Sequence, residues 1–427
     1  MPSLALLSLA ASAALAASLA AHGCRLDTAP IASAGAQSAP PDMAAPNVES
    51  SVEAIKASAE AGNAAAMFRF GQILASGKGV SRDEKEAVVW YLRAADRGEA
   101  RAMTALGVMY SKGRGVARND ADAVRWYELA ARGGEPNAMM ALATRAERGE
   151  GQVQDDAAAT EWYRKAAEAG HAQAMRVLAM RYAAGRGVAA DDAAANEWLQ
   201  RAAKAGDVVA AREYGARRVA GKPSNADLTE GIRWLSVAAD AGDIDAMLAL
   251  ASLYGGGAPN VRDDTKALHW SLRAAELGST AAMCSVGVFT LTGRGIEQNA
   301  PRAAEWFAKA ATAGDTAGMF NLGLMHADGR GIPKDQIEGF RWLRRAALQG
   351  NVGAMLRVAN MYAEGEGTSK NEVEAYFWAL LAERLVDPID RERASTRRVG
   401  FGERISALSR EEVAERVSAW KPAPTAR

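Results

Sequence analysis

The chain has 427 residues, in which 51 Lys plus Arg balance 51 Asp plus Glu and hydrophobic residues make up 49%. That length exceeds what one compact core accommodates, so several domains or an elongated array is expected. The charge balance argues against general nucleic-acid binding, which needs a cationic surface, and two cysteines, Cys24 and Cys284, exclude a disulfide framework and a cysteine-based zinc site.

The first 23 residues contain no Lys, Arg, Asp or Glu, and residues 4–21 are a run of Leu, Ala and Ser. The run is about long enough for a signal-peptide core or a short membrane span. It ends in Leu19-Ala20-Ala21-His22-Gly23-Cys24, which resembles a bacterial lipobox. In such signals the lipid-modified cysteine becomes the mature N-terminus, which makes Cys24 the candidate lipidation site. His22 and the lack of a positive charge ahead of the run depart from that pattern, and cleavage without lipid or an uncleaved anchor remain alternatives. Residues 24–48 are rich in Ala, Pro and Ser without apolar periodicity, which predicts a flexible tether. Residues 49–61 then read as a capping helix, with Ala54 in a column that later holds tryptophan.

From residue 62 to 385 the chain repeats itself. Tryptophan recurs every 36 residues from Trp90 to Trp378, glycine from Gly62 to Gly350, and Asp or Asn from Asp83 to Asn371. The Asp/Asn column sits just before a helical pattern and predicts N-caps. Glu86, Glu230, Glu338 and Glu374 lie three residues on, at the position that closes a capping box. Ala87, Trp90, Tyr91, Ala94 and Ala95 follow at helical spacing, and the column glycine is expected to end that helix in the left-handed region. A further helix buries Ala102, Met103, Leu106, Gly107 and Tyr110 on one face. It stops at a glycine pair such as Gly113-Arg114-Gly115, a turn rather than a phosphate loop, because no strand precedes it and it recurs in most copies. The tryptophans, at core spacing, are expected to plug adjacent repeats together rather than to stack on bases or sugars.

The pattern A-x-M-x-x-L-G-x-x-Y-x-x-G-x-G-V, then (D/N)-x-x-x-A-x-x-W-Y-x-x-A-A-x-x-G, resembles the Sel-1-like repeat, a relative of the tetratricopeptide repeat. The resemblance implies an all-α fold, a right-handed αα solenoid of nine 36-residue helix pairs with helical caps. Ala211 in place of the column Met, the lost second glycine in Gly221-Lys222-Pro223-Ser224, and Gly255-Gly256-Gly257-Ala258-Pro259 mark an irregular middle. Residues 386–427 read as a C-terminal helical cap, with a final helix opened by Ser409-Arg410-Glu411-Glu412 and ending near Trp420.

No catalytic motif is present, and His22, His171, His269 and His326 fall in different columns, so neither an enzyme, a metal site nor a cofactor is expected. Cysteine-rich relatives linked to β-lactam hydrolysis carry paired cysteines in each repeat, a pattern missing here; Cys284 reads as a half-buried, inert thiol. One column breaks the regular pattern. The position before the column Tyr is apolar in six copies, but in three consecutive ones it is Arg145, Arg181 and Arg217, followed by Arg218. These arginines either lay their stems over apolar surface and pair with Glu147 or Glu213, or form a ladder for an acidic peptide or anionic polymer. The resemblance implies a non-enzymatic scaffold or adaptor that binds a protein partner along the concave face of its first helices. The N-terminal segment places it on the periplasmic side of a bacterial envelope, membrane-tethered through the lipid or anchor, with no nucleic-acid partner. A glycan or small-ligand binder, and a cell-wall or β-lactam-acting hydrolase, are the rival readings.

Overall fold

A computed structural model describes residues 48–423 apart from 222, 258 and 387–390. The export segment, Cys24 and the tether up to residue 47 lie outside the described residues. Among the described residues the chain is all-helical, with 21 α-helices and no strand. It forms an array of helix-pair repeats in two compact units, divided after Ala241.

In the first unit, helix α1 (Val48–Glu60) covers one end of the array. The first helices of the repeats are α2 (Ala64–Ser76), α4 (Ala100–Lys112), α6 (Pro136–Arg148), α8 (Ala172–Ala184) and α10 (Val208–Val219). They alternate with second helices α3 (Glu84–Ala95), α5 (Asp120–Arg132), α7 (Asp156–Glu168), α9 (Asp192–Lys204) and α11 (Asn225–Asp240). Each first helix packs against the second helix of its own repeat and of the one before. The second helices start as the sequence predicts: Asp83, Asn119, Asp155 and Asp191 accept from backbone amides in the first turn. The nine column glycines all have φ between +81° and +98°, where a Cβ would be strained.

Several expectations need correction. Asp227 is not an N-cap. With the second glycine of the loop replaced, Ser224 caps α11 instead, so the helix begins a turn early and Asp227 closes a capping box with Ser224. Glu86, Glu230, Glu338 and Glu374 turn to side-chain partners such as Trp90 Nε1, Arg218, Arg341 and Arg416. Removing the Ser224 hydroxyl with alanine is expected to cost about 1 kcal/mol, read by urea unfolding; an unchanged midpoint would show that the early start does not depend on this cap.

A further correction concerns the plug. Trp90, Trp198, Trp234, Trp270 and Trp378 are buried as expected, but Trp126, Trp162, Trp306 and Trp342 are only half-buried, whereas the residue after the column tryptophan is buried in every repeat, from Tyr91 to Ala379. A Cβ on Gly71 would lie 2.6 Å from Tyr91 Cε1, and one on Gly287 would lie 2.6 Å from Phe307 Cε1. The small residue of the first helix is therefore a socket for the residue after the tryptophan. The tryptophan face, whether half-buried or buried, also carries a cation three residues on, with Lys165 at 4.5 Å from Trp162, Arg201 at 4.0 Å from Trp198 and Lys309 at 4.4 Å from Trp306.

In the second unit the first helices are α12 (Ile244–Ser252), α14 (Thr280–Thr292), α16 (Thr316–Asp328) and α18 (Val352–Glu364). The second helices are α13 (Asp264–Glu276), α15 (Ala300–Thr312), α17 (Gln336–Leu348) and α19 (Glu372–Leu385). Here α12 stops short and runs into a π turn over Leu253–Gly257, with Gly256 at φ +134°. Helices α20 (Arg391–Gly402) and α21 (Ala407–Ala419) follow. The last helix is capped by Ser406 rather than Ser409, because the Ser406 hydroxyl already accepts from Ser409 N. It is held by Arg384 donating to Val417 O at 3.0 Å, and the chain beyond it returns to donate from Ala423 N to Leu348 O at 2.8 Å.

Cys284 is more deeply buried than the sequence suggests, and burial pushes its thiol up to about 12. His171 caps α8 by accepting from Ala174 N, and His269 meets Trp270 edge-on. Among the described residues no helix is long and apolar enough to cross a membrane, and no cluster of His, Cys, Asp and Glu could hold a metal ion.

Candidate interaction surface

The glycine-pair loops that end the first helices are inter-repeat contacts as well as turns. In most copies a Cβ on the second glycine would overlap backbone of the preceding repeat's second helix, as for Gly115 against Glu84 O and Gly187 against Asp156 O. The arginine between the glycines reaches the same helix start. Arg114 Nε meets Glu84 Oε1 at 2.6 Å, Arg186 Nε meets Asp156 Oδ1 at 3.1 Å, and Arg294 Nε meets Asp264 Oδ1 at 3.0 Å.

That frame explains the first arginine of the ladder. The loop Gly149-Glu150-Gly151 has no arginine, and Arg145 supplies the cation instead, 3.1 Å from Asp120 Oδ1. Its side chain is 8% exposed, and with Arg118 foremost and Arg145 assisting, the Asp120 carboxyl is held below the usual range. Arg181 is 4% exposed and more heavily engaged. Its guanidinium donates to Thr160 Oγ1 at 2.7 Å, Asp156 O at 2.8 Å, Asp156 Oδ1 at 2.9 Å and Glu147 Oε1 at 3.1 Å. Tyr163 OH closes the cluster by donating to Glu147 Oε2 at 2.9 Å, and the bonds from Arg181 hold Asp156 below the ordinary carboxylate range.

The four arginines of the sequence motif thus differ in role. Arg145 and Arg181 are covered and tie consecutive repeats together, Arg181 with the anticipated Glu147. Arg218 is half-buried between Glu230, 2.9 Å from Nε, and Asp227, 2.8 Å from Nη1. Arg217 is exposed; among the described residues its guanidinium donates to an amide oxygen, Asn196 Oδ1, at 3.2 Å, and its charge also acts on Glu213. Glu213, its alternative partner, is half-buried, and desolvation raises its pKa.

The open sides of α4, α6 and α8 carry small or flexible apolar groups. Val108, Met140, Thr144 and Val177 are half-buried, and Met180 is 42% exposed. Around them stand cations that column-by-column reading of one motif does not single out. Arg69, Lys112 and Arg148 are exposed, and the carboxylate nearest Arg148, Glu150, is 3.7 Å away. The five first helices of this unit carry ten Lys or Arg against two Glu, while its five second helices carry nine Lys or Arg against thirteen Asp or Glu.

Comparison with known proteins accords with this architecture. The Sel1 repeat matches residues 64–99, 100–135, 136–171, 172–207, 209–243, 244–279, 280–315, 316–351 and 352–387. A protective antigen of uropathogenic Escherichia coli displaying an SLR fold is 27% identical, with 89% of this chain and 84% of that one covered at a TM-score of 0.67. A Sel1 repeat protein from Oxalobacter formigenes is 25% identical, covering 74% of this chain and 94% of its own at a TM-score of 0.58. A search of curated proteins gave no match. Sel1 repeat proteins generally mediate protein–protein interaction, and the scaffold is generally non-catalytic. Nine matched repeats, with their sockets, caps and glycine-pair loops, mean that the chain belongs to the Sel1 repeat family.

Proposed function

We propose that this chain is a non-enzymatic scaffold or adaptor of a bacterial cell envelope, binding a protein partner along the open face of its first helices. The observation that carries the reading is the row formed by α4, α6 and α8. One side of each helix is buried against second helices, and the other presents Val108, Met140, Val177 and Met180 half-covered or exposed. A repeated helix face of this kind is an extended docking surface rather than a pocket for a small substrate. The periplasmic side, with the chain held through a lipid on Cys24, is proposed from the N-terminal apolar run and its terminal Leu-Ala-Ala-His-Gly-Cys. Arg217, the exposed member of the arginine motif, would meet the partner.

The test is in-cell crosslinking and affinity capture of the tagged chain, beside a Cys24→Ala variant. The expected result is a reproducible protein partner and release of the variant from the membrane fraction. Membrane retention with no crosslinked protein would overturn the adaptor reading in favour of a glycan or small ligand. A Cys24→Ala chain that stays in the membrane fraction would overturn the lipid tether.

A further inference from the structure

We propose that the first-helix face of the unit ending at Ala241 takes an extended acidic peptide segment with interspersed apolar residues. This rests on the adaptor reading above and specifies the partner's chemistry.

A formal charge of zero hides a separation. In this unit the first helices hold an excess of eight positive charges and the second helices an excess of four negative ones. The four first helices of the other unit hold one Arg against three Asp or Glu, so the excess is not a property of the repeat itself. Nor is it all consumed internally. Arg145 and Arg181 are buried on their own carboxylates, but Arg69 and Lys112 are exposed and meet no carboxylate among the described residues. Arg148 has Glu150 only at 3.7 Å, and Arg217 meets an amide. Four accessible cations thus recur along one helix row, and complementary potential selects an acidic partner.

The floor between them decides which polyanion. Val108, Met140, Val177 and Met180 offer apolar area that apolar side chains cover better than the hydroxyl-rich surface of an anionic polysaccharide, and methionine adapts to differing apolar side chains. An extended peptide turns alternate side chains to opposite sides, so apolar residues can face the floor while carboxylates reach the cations. The buried Arg145 and Arg181 lie beneath this face as struts and make no contact with the segment.

The experiment is to pan a random peptide phage library on the full chain and to measure a synthetic copy of the leading peptide by fluorescence anisotropy. Asp and Glu interspersed with apolar residues are expected among enriched peptides. Affinity should fall with added salt, and by about tenfold or more when Arg69→Glu, Lys112→Glu and Arg217→Glu are combined. Circular dichroism checks that the variant keeps its helicity, and the corresponding Gln triple, also expected to weaken binding, replaces it if it does not. Enriched peptides without acidic excess, or affinity unchanged in the folded variant, would overturn the proposal. Polygalacturonate binding as tightly as the peptide would overturn the peptide assignment. Failure to enrich any peptide would sink this inference alone, because crosslinking to a folded partner would still uphold the adaptor reading.

Discussion

Gly187→Ala is expected to destabilise the chain by about 3 kcal/mol or more. Gly187 has φ +66°, and its added methyl would overlap the Asp156 carbonyl oxygen and crowd Thr160 Oγ1. Relief would require the loop to lift from α7, which would also pull Arg186 from Asp156. Gly170→Ala provides the contrast. Its φ of +91° carries a conformational penalty, but nothing lies within 4 Å of the added methyl, so a loss of about 1–2 kcal/mol is expected. Urea unfolding followed by far-UV circular dichroism reads both, and hydrogen exchange should place the Gly187 effect in α7 and α8 before more distant repeats. Equal losses at the two sites would mean that the approach between repeats is not what demands glycine.

Arg181→Met should cost about 2–3 kcal/mol, because Asp156, Glu147 and Thr160 lose the buried donor that joins all three, while Arg186 still meets both carboxylates. The upper range for a fully buried pair is not reached, since the Asp156 side chain is 39% exposed and water can replace part of what is lost. Arg217→Met, one repeat on in the same column, should stay within about 0.5 kcal/mol. Comparable losses from the two substitutions would contradict the division of the motif into struts and exposed cations.

The 36-residue period made the helix pairs, caps and left-handed glycines legible, because each depends on residues a few positions apart. What the sequence left open depends on residues a repeat apart. Trp162 and Tyr163 are both apolar and adjacent, and nothing local says that the second fills the core while Lys165 covers the first. Arg145 looks like a departure until Glu150 is seen where neighbouring loops have arginine and Asp120 is seen as the shared acceptor. The basic character of the first-helix face was present in the residues from the start. It vanished in the whole-chain total because the second helices carry the opposite excess.

The loop contacts also give the array a direction in time. In most copies the second glycine of the pair closes onto the helix that came earlier in the chain, and Arg114 and Arg294 reach Glu84 and Asp264 there. During synthesis, a newly emerged repeat keeps an uncovered helix start until its successor follows. Consolidation therefore trails elongation by one repeat, and the most recently made turn is always the least protected. The last repeat has no successor of its own kind, yet Arg404, between α20 and α21, comes within 3.7 Å of Glu372 at the start of α19. The C-terminal helices thus stand in for the repeat that would otherwise have closed the array.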